Sequence, residues 1–149
     1  VGRAQYREWL NEFPWSHAVT LTFRRRSHSG APISQAIMSE TVWHFLRRLD
    51  VACFKSRPVR KRRYCVGSAA TLGWGGFGDH PHVHLALNTP AHITHEQFNA
   101  IIKASAQKTY WFDQQMKIEP YRDEGWLAYM LHEGTENLLY PSLRRPHPQ

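Results

Sequence analysis

The sequence predicts an α+β fold, a mostly antiparallel central sheet of four to five strands flanked by helices. Three observations lead there. Some segments carry apolar residues at three- and four-residue intervals, others at every second residue. The two kinds follow one another in the order helix, strand, helix, strand, strand, helix, strand, helix. The two adjacent strands flank a glycine-rich stretch, which reads as a hairpin. At 149 residues and without an internal repeat, the chain suits one domain over 1–149, with the proline-rich tail after about residue 140 weakly ordered.

Each element has its own signal. Tyr6, Trp9, Leu10 and Phe13 have helical spacing over residues 2–13, ended by Pro14. Residues 18–23 alternate Val19, Leu21 and Phe23 with threonine and form a strand that ends in three arginines. Ser34 caps the longest helix, whose apolar positions are Ile37, Met38, Thr41, Val42, Phe45, Leu46 and Leu49. Residues 64–69 read as the second strand, residues 73–78 as the glycine-rich loop, and residues 82–87 as the third strand. Thr94 caps a helix through Phe98, Ile101, Ile102 and Ala106; residues 111–119 form a fourth strand closed by Pro120. A last helix runs from about 123 to 133 and stops at Gly134.

Composition narrows the partners. Lysine and arginine outnumber aspartate and glutamate 19 to 12, and the excess is clustered: Arg24, Arg25 and Arg26; residues 57–63, with Arg60, Lys61, Arg62 and Arg63; and Arg144 with Arg145. A solvated loop is the bland reading of any one such run. Three runs in a chain with 13% aromatic residues favour nucleic acid, because guanidinium grips phosphate and exposed rings stack on bases. Trp74 and Phe77 in the glycine-rich loop are candidate stacking residues. No apolar run approaches the roughly 18 residues of a membrane span, and no signal-peptide pattern opens the chain. Cys53 and Cys65 form no metal or disulfide framework. A soluble protein of the reducing cytoplasm, without a membrane partner, is expected.

The stretch HPHVHLAL (residues 80–87) carries the chemistry. Alternate residues of a strand share a face, so His82 and His84 project together, roughly 6.7 Å apart along the chain, close enough to meet one divalent ion. A lone histidine there would be an ordinary polar residue on a wet face; the pair favours metal. His80 has the same parity but lies roughly 13 Å from His84 in a regular strand, and joins only if Pro81 breaks it.

His82-Val83-His84 before an apolar run resembles the histidine-hydrophobe-histidine motif of the HUH endonucleases, rolling-circle replication initiators and relatives that nick single-stranded DNA. Thr20, Leu21, Thr22 and Phe23 look like that family's first motif. Residues 126–132, with Tyr129, stand where its third motif belongs, a helix bearing a nucleophilic tyrosine. The match in order and spacing spans roughly residues 16–133. It implies a HUH/Rep nuclease-like sheet, related to ferredoxin and RRM folds, a divalent metal (Mn²⁺ or Mg²⁺) on His82 and His84, and Tyr129 as nucleophile. His132 occupies a position where the family commonly has a phosphate-positioning lysine, and is carried as the second catalytic candidate. The family's third metal ligand is often Glu, Gln or His, frequently on the preceding strand; residues 64–71 hold no carboxylate, leaving Asp79, His80 and Glu119.

On the last helix Leu127, Met130 and Leu131 make one apolar stripe, and Tyr129 falls outside it with Trp126 and Glu133. A core tyrosine is the structural alternative, with Tyr121 and Tyr140 as other nucleophile candidates. The resemblance implies site-specific nicking and strand transfer through a 5′-phosphotyrosine, expected in initiation of rolling-circle replication at an origin hairpin. Without a Walker A motif in the chain, any helicase lies outside it. A single-tyrosine transposase shares the same motifs, and a nucleic-acid-binding module with a decayed site is the reading from a different class. A zinc deaminase lacks its HxE and PCxxC signatures.

Overall fold

A computed structural model describes residues 8, 10–55, 64–74, 80–132, 139 and 144. Four strands, β1 (His17–Phe23), β2 (Ser68–Gly73), β3 (His82–Leu87) and β4 (Phe112–Pro120), form one sheet in the order β2-β3-β1-β4. Every neighbouring pair is antiparallel. Helices α1 (Gln35–Phe54), α2 (His95–Gln107) and α3 (Gly125–Met130) complete the α+β architecture. Most of the opening helix and of the tail lies outside the described residues, although Glu8, Leu10 and Asn11 are helical. No helix among the described residues is long and apolar enough to cross a membrane.

Strand parity divides the molecule. Val19, Leu21, Phe23, Ala70, Leu72, Val83, Leu85 and Leu87 point to one face, where they pack with Met38, Val42, Phe45, Leu46 and Leu49 of α1 and Phe98, Ile102 and Ala106 of α2. Those helical positions recur at three- and four-residue intervals, so both helices lay one stripe on the sheet. Fully burying a side chain such as Phe45 contributes roughly 1.5–3 kcal/mol. On the other face Ala69 and Ala86 receive Leu127, Met130 and Leu131, together with Leu10 and Trp15. The expected stripe of α3 is therefore its buried face.

The caps fall where the sequence places them. Ser34 Oγ accepts from Ile37 N at 3.2 Å to start α1, and Thr94 and Gln97 form a reciprocal capping box on α2. Lys55, at φ +69°, ends α1 by turning the chain into the left-handed region while its N–H returns to Val51 O.

Three boundaries shift, and one tail residue is held. Residues 64–67 are not strand: β2 starts at Ser68, because Val66 N donates to the buried Asp50 carboxylate rather than to a ladder. Gly73 belongs to β2 rather than to the following loop, and α3 is shorter than residues 123–133. Arg144, within the tail expected to be weakly ordered, is tied down. Its guanidinium forms a bidentate pair with Asp50 and its backbone pairs with Ser68, while Leu139 N donates to Ala70 O. Leu139 and Arg144 thus bond to β2, and the guanidinium neutralises a carboxylate only 2% exposed, so this arginine serves the fold.

Candidate active site

The register lines up three rows of side chains on the α3 face. Gly73, His82 and Thr22 form the first; Thr71, His84, Thr20 and Lys117 the second; Ala69, Ala86, Ala18 and Glu119 the third. Both histidines of the HxH stretch thus share one face, with ring centroids 4.5 Å apart.

Each imidazole is set by a neighbour. His82 Nδ1 lies 2.9 Å from the His80 carbonyl, which can only accept, so Nδ1 carries a proton and Nε2 is the nitrogen left to face the site. The ring lies over Gly73, where any Cβ would collide with Nε2 and Cε1. His84 Nδ1 is 2.9 Å from Thr20 Oγ1. Burial first, and then the neighbouring His82 and His132, push the pKa of His84 down to about 3, so its ring is neutral at physiological pH.

A divalent cation fits this pair. Among the described residues neither the buried His84 Nε2 nor the buried Thr71 Oγ1 of its cross-strand neighbour has a hydrogen-bond partner; a buried polar atom in that state calls for an ion or water. Neutral imidazole is the ligating form, and the bonds at Nδ1 of both rings are the outer support that metal-binding histidines need. Among the described residues no three His, Cys, Asp or Glu side chains converge as a ligand set. Glu119 sits two residues beyond His84 and four beyond His82 along the sheet, on the far edge strand, which places it away from the pair. His80 contributes its carbonyl to His82, and Asp79 lies outside the described residues.

Helix α3 brings Tyr129 to the histidines. Its half-exposed ring stands edge-on to His84 at 5.0 Å, and Trp126 meets both, at 5.2 Å from His84 and 5.6 Å from Tyr129. Trp126 Nε1 donates to Leu85 O at 3.0 Å, pinning the helix to β3. His132 stacks on Tyr129 at 5.1 Å and its Nδ1 donates to the Tyr129 carbonyl, so it braces the tyrosine. Tyr121 lies outside this cluster, and burial, then Asp123 and Glu124, raise its pKa to about 12. Tyr140 lies outside the described residues.

No family model, curated protein or solved structure matches the chain.

The residues expected to bind DNA divide. Arg24 Nε donates to the Tyr110 carbonyl at 2.6 Å and its guanidinium lies over the Tyr110 ring; Arg26 closes its own loop onto Gly30 O. Arg25 is exposed beside them. Trp74 is 44% exposed and follows directly on the glycine beneath His82. Arg60, Lys61, Arg62, Arg63 and Phe77 lie outside the described residues. Gly73, Thr71 and Lys117 escaped the sequence reading because only the register brings them to the histidines; Trp126 was visible three residues before Tyr129, on the same helix face.

Proposed function

We propose that the chain is a metal-dependent, site-specific single-stranded DNA endonuclease and strand transferase of the HUH kind, acting in initiation of rolling-circle replication. The observation that carries the reading is the placement of Tyr129 against His84, a buried, neutral imidazole that shares its face of the sheet with His82.

The residues divide the work. A divalent cation, Mn²⁺ or Mg²⁺, supplies polarisation of the phosphoryl oxygen when bound by the two imidazoles. Thr20 and the His80 carbonyl orient those rings. Trp126 and His132 hold the Tyr129 ring, which limits the arrangements it must lose before attack. The phenolic oxygen forms a bond to phosphorus as the bond from phosphorus to the 3′-oxygen breaks. The phenol gives up its proton and the leaving oxygen takes one, yielding a 5′-phosphotyrosine and a free 3′-OH. One ester replaces another, so a 3′-OH can reverse the step. Trp74, at the end of β2, and Arg25, beyond the end of β1, are exposed and offer a stacking ring and a phosphate-binding cation to a single strand.

The test is a denaturing protein gel after incubation with a labelled, sequence-randomised single-stranded DNA pool and Mn²⁺. The native chain is expected to carry label, and Tyr129→Phe or a chelator to abolish it. Label that survives Tyr129→Phe moves the nucleophile to another residue. DNA binding without label in any metal makes the chain a binding module.

A further inference from the structure

A cavity of about 380 Å³ opens beside Tyr129, lined among others by Thr20, His84, Lys117, Glu119 and Trp126. Of the described residues that line it, Lys117 alone carries a permanent positive charge. Lys117 is the direct cross-strand partner of Thr20, which bonds His84, so the lysine stands in the same row as the imidazole, on the edge strand. Its Nζ lies 3.5 Å from Glu119 Oε1, and the two side chains are 71% and 53% exposed.

That pair leaves the cavity close to neutral, whereas a phosphodiester entering it is an anion. An exposed lysine–carboxylate pair at this distance is screened by water and salt and is readily exchanged. A phosphate accepts a charge-assisted hydrogen bond from the same ammonium group, and it repels the carboxylate beside it. His132 is bonded back to the Tyr129 carbonyl, and the Arg24 side chain is bound to Tyr110, at the end of β1 remote from Glu119. Among the described residues that line the cavity, Lys117 is therefore the cation placed to meet an incoming phosphate.

We propose that Lys117 is the phosphate-binding cation of the Tyr129 cavity, and that Glu119 is its resting partner, released when a nucleic-acid phosphate takes the lysine. The assignment deepens the nickase reading and rests on it. It makes Glu119 a competitor of the substrate rather than a metal ligand. The two residues then act with opposite sign: the lysine strengthens strand binding and the glutamate weakens it.

The experiment is a fluorescence-anisotropy titration of the labelled, randomised single-stranded DNA pool across a salt series with Mn²⁺, in a Tyr129→Phe background that prevents chemistry. Lys117→Gln is expected to weaken binding about tenfold at low salt and to lower the slope of log affinity against log salt by about 0.7, one phosphate contact on a single strand. Lys117→Arg keeps the slope. Glu119→Gln tightens binding severalfold and leaves a separate Mn²⁺ titration by calorimetry unchanged. An unaltered slope in Lys117→Gln overturns the proposal, as does weaker strand or Mn²⁺ binding in Glu119→Gln. If the slope shifts as expected while the chain with Tyr129 intact forms no covalent adduct, the nickase reading fails and the phosphate contact stands.

Discussion

The face of the sheet beneath α1 and α2 is sealed by large side chains, Phe23, Phe45, Phe98, Leu85 and Leu87, whereas the face beneath α3 is floored by Ala18, Ala69 and Ala86. Small floor residues leave room for the polar row of Thr71, His84, Thr20 and Lys117, and for an approaching helix that carries a tyrosine. One strand thus serves both ends: in β3, Val83, Leu85 and Leu87 build the core while His82 and His84 face the site. In this sheet, therefore, the parity of a residue decides whether replacing it costs stability or alters the site.

The largest effect that would sharpen the contrast is on the core side. Phe45→Ala is expected to lower unfolding free energy by about 3–5 kcal/mol in a denaturant titration, while the molecules that remain folded keep their Mn²⁺ affinity. Loss of affinity in the folded fraction would break the separation of the faces. On the site side, Gly73→Ala drives the His82 ring from its seat and should weaken Mn²⁺ binding about 10–100-fold by calorimetry. Thr20→Val removes the partner of His84 Nδ1 and should cost about tenfold in the same titration, with Thr20→Ser restoring it.

The last expected effect is on pH dependence, and at neutral pH it is silent. His84 has a pKa of about 3 when folded and near 6.5 when unfolded, so between those values the unfolded chain holds the extra proton. Stability attributable to this ring is intact at neutral pH and declines as pH falls below about 6.5 toward 3. In thermal melts of the metal-free chain, His84→Gln should flatten the dependence over that window; an unchanged slope would place the titration elsewhere.

Local signals carried most of the fold. Strict alternation gave β3 the bounds His82–Leu87, and the Thr94/Gln97 spacing marked the start of α2. Where a long-range partner decides, local reading strayed: Tyr64, Cys65 and Val66 look like strand, yet Asp50 and Arg144 claim that segment from far along the chain. Gly73 looks like a turn residue until its neighbour His82 is known. The site divides in the same way. The histidine pair and Tyr129 stand out because each breaks a pattern, whereas Thr71 and Lys117 become part of the site only through registers that join β3 to β2 and β1 to β4. Arg144 reads as one more surface cation and is instead an anchor, since charge clustering says nothing about burial.

The strand order has a consequence for synthesis. β1 lies inside the sheet, yet both of its partners, β3 and β4, come much later in the chain. At a ribosome adding roughly 5–20 residues per second, a strongly strand-forming segment emerges several seconds before β4 can pair with it. Arg24, Arg25 and Arg26 follow directly on that segment. Like charges flanking an unpaired strand disfavour its docking on a copy of itself, which is the position and chemistry of a gatekeeper.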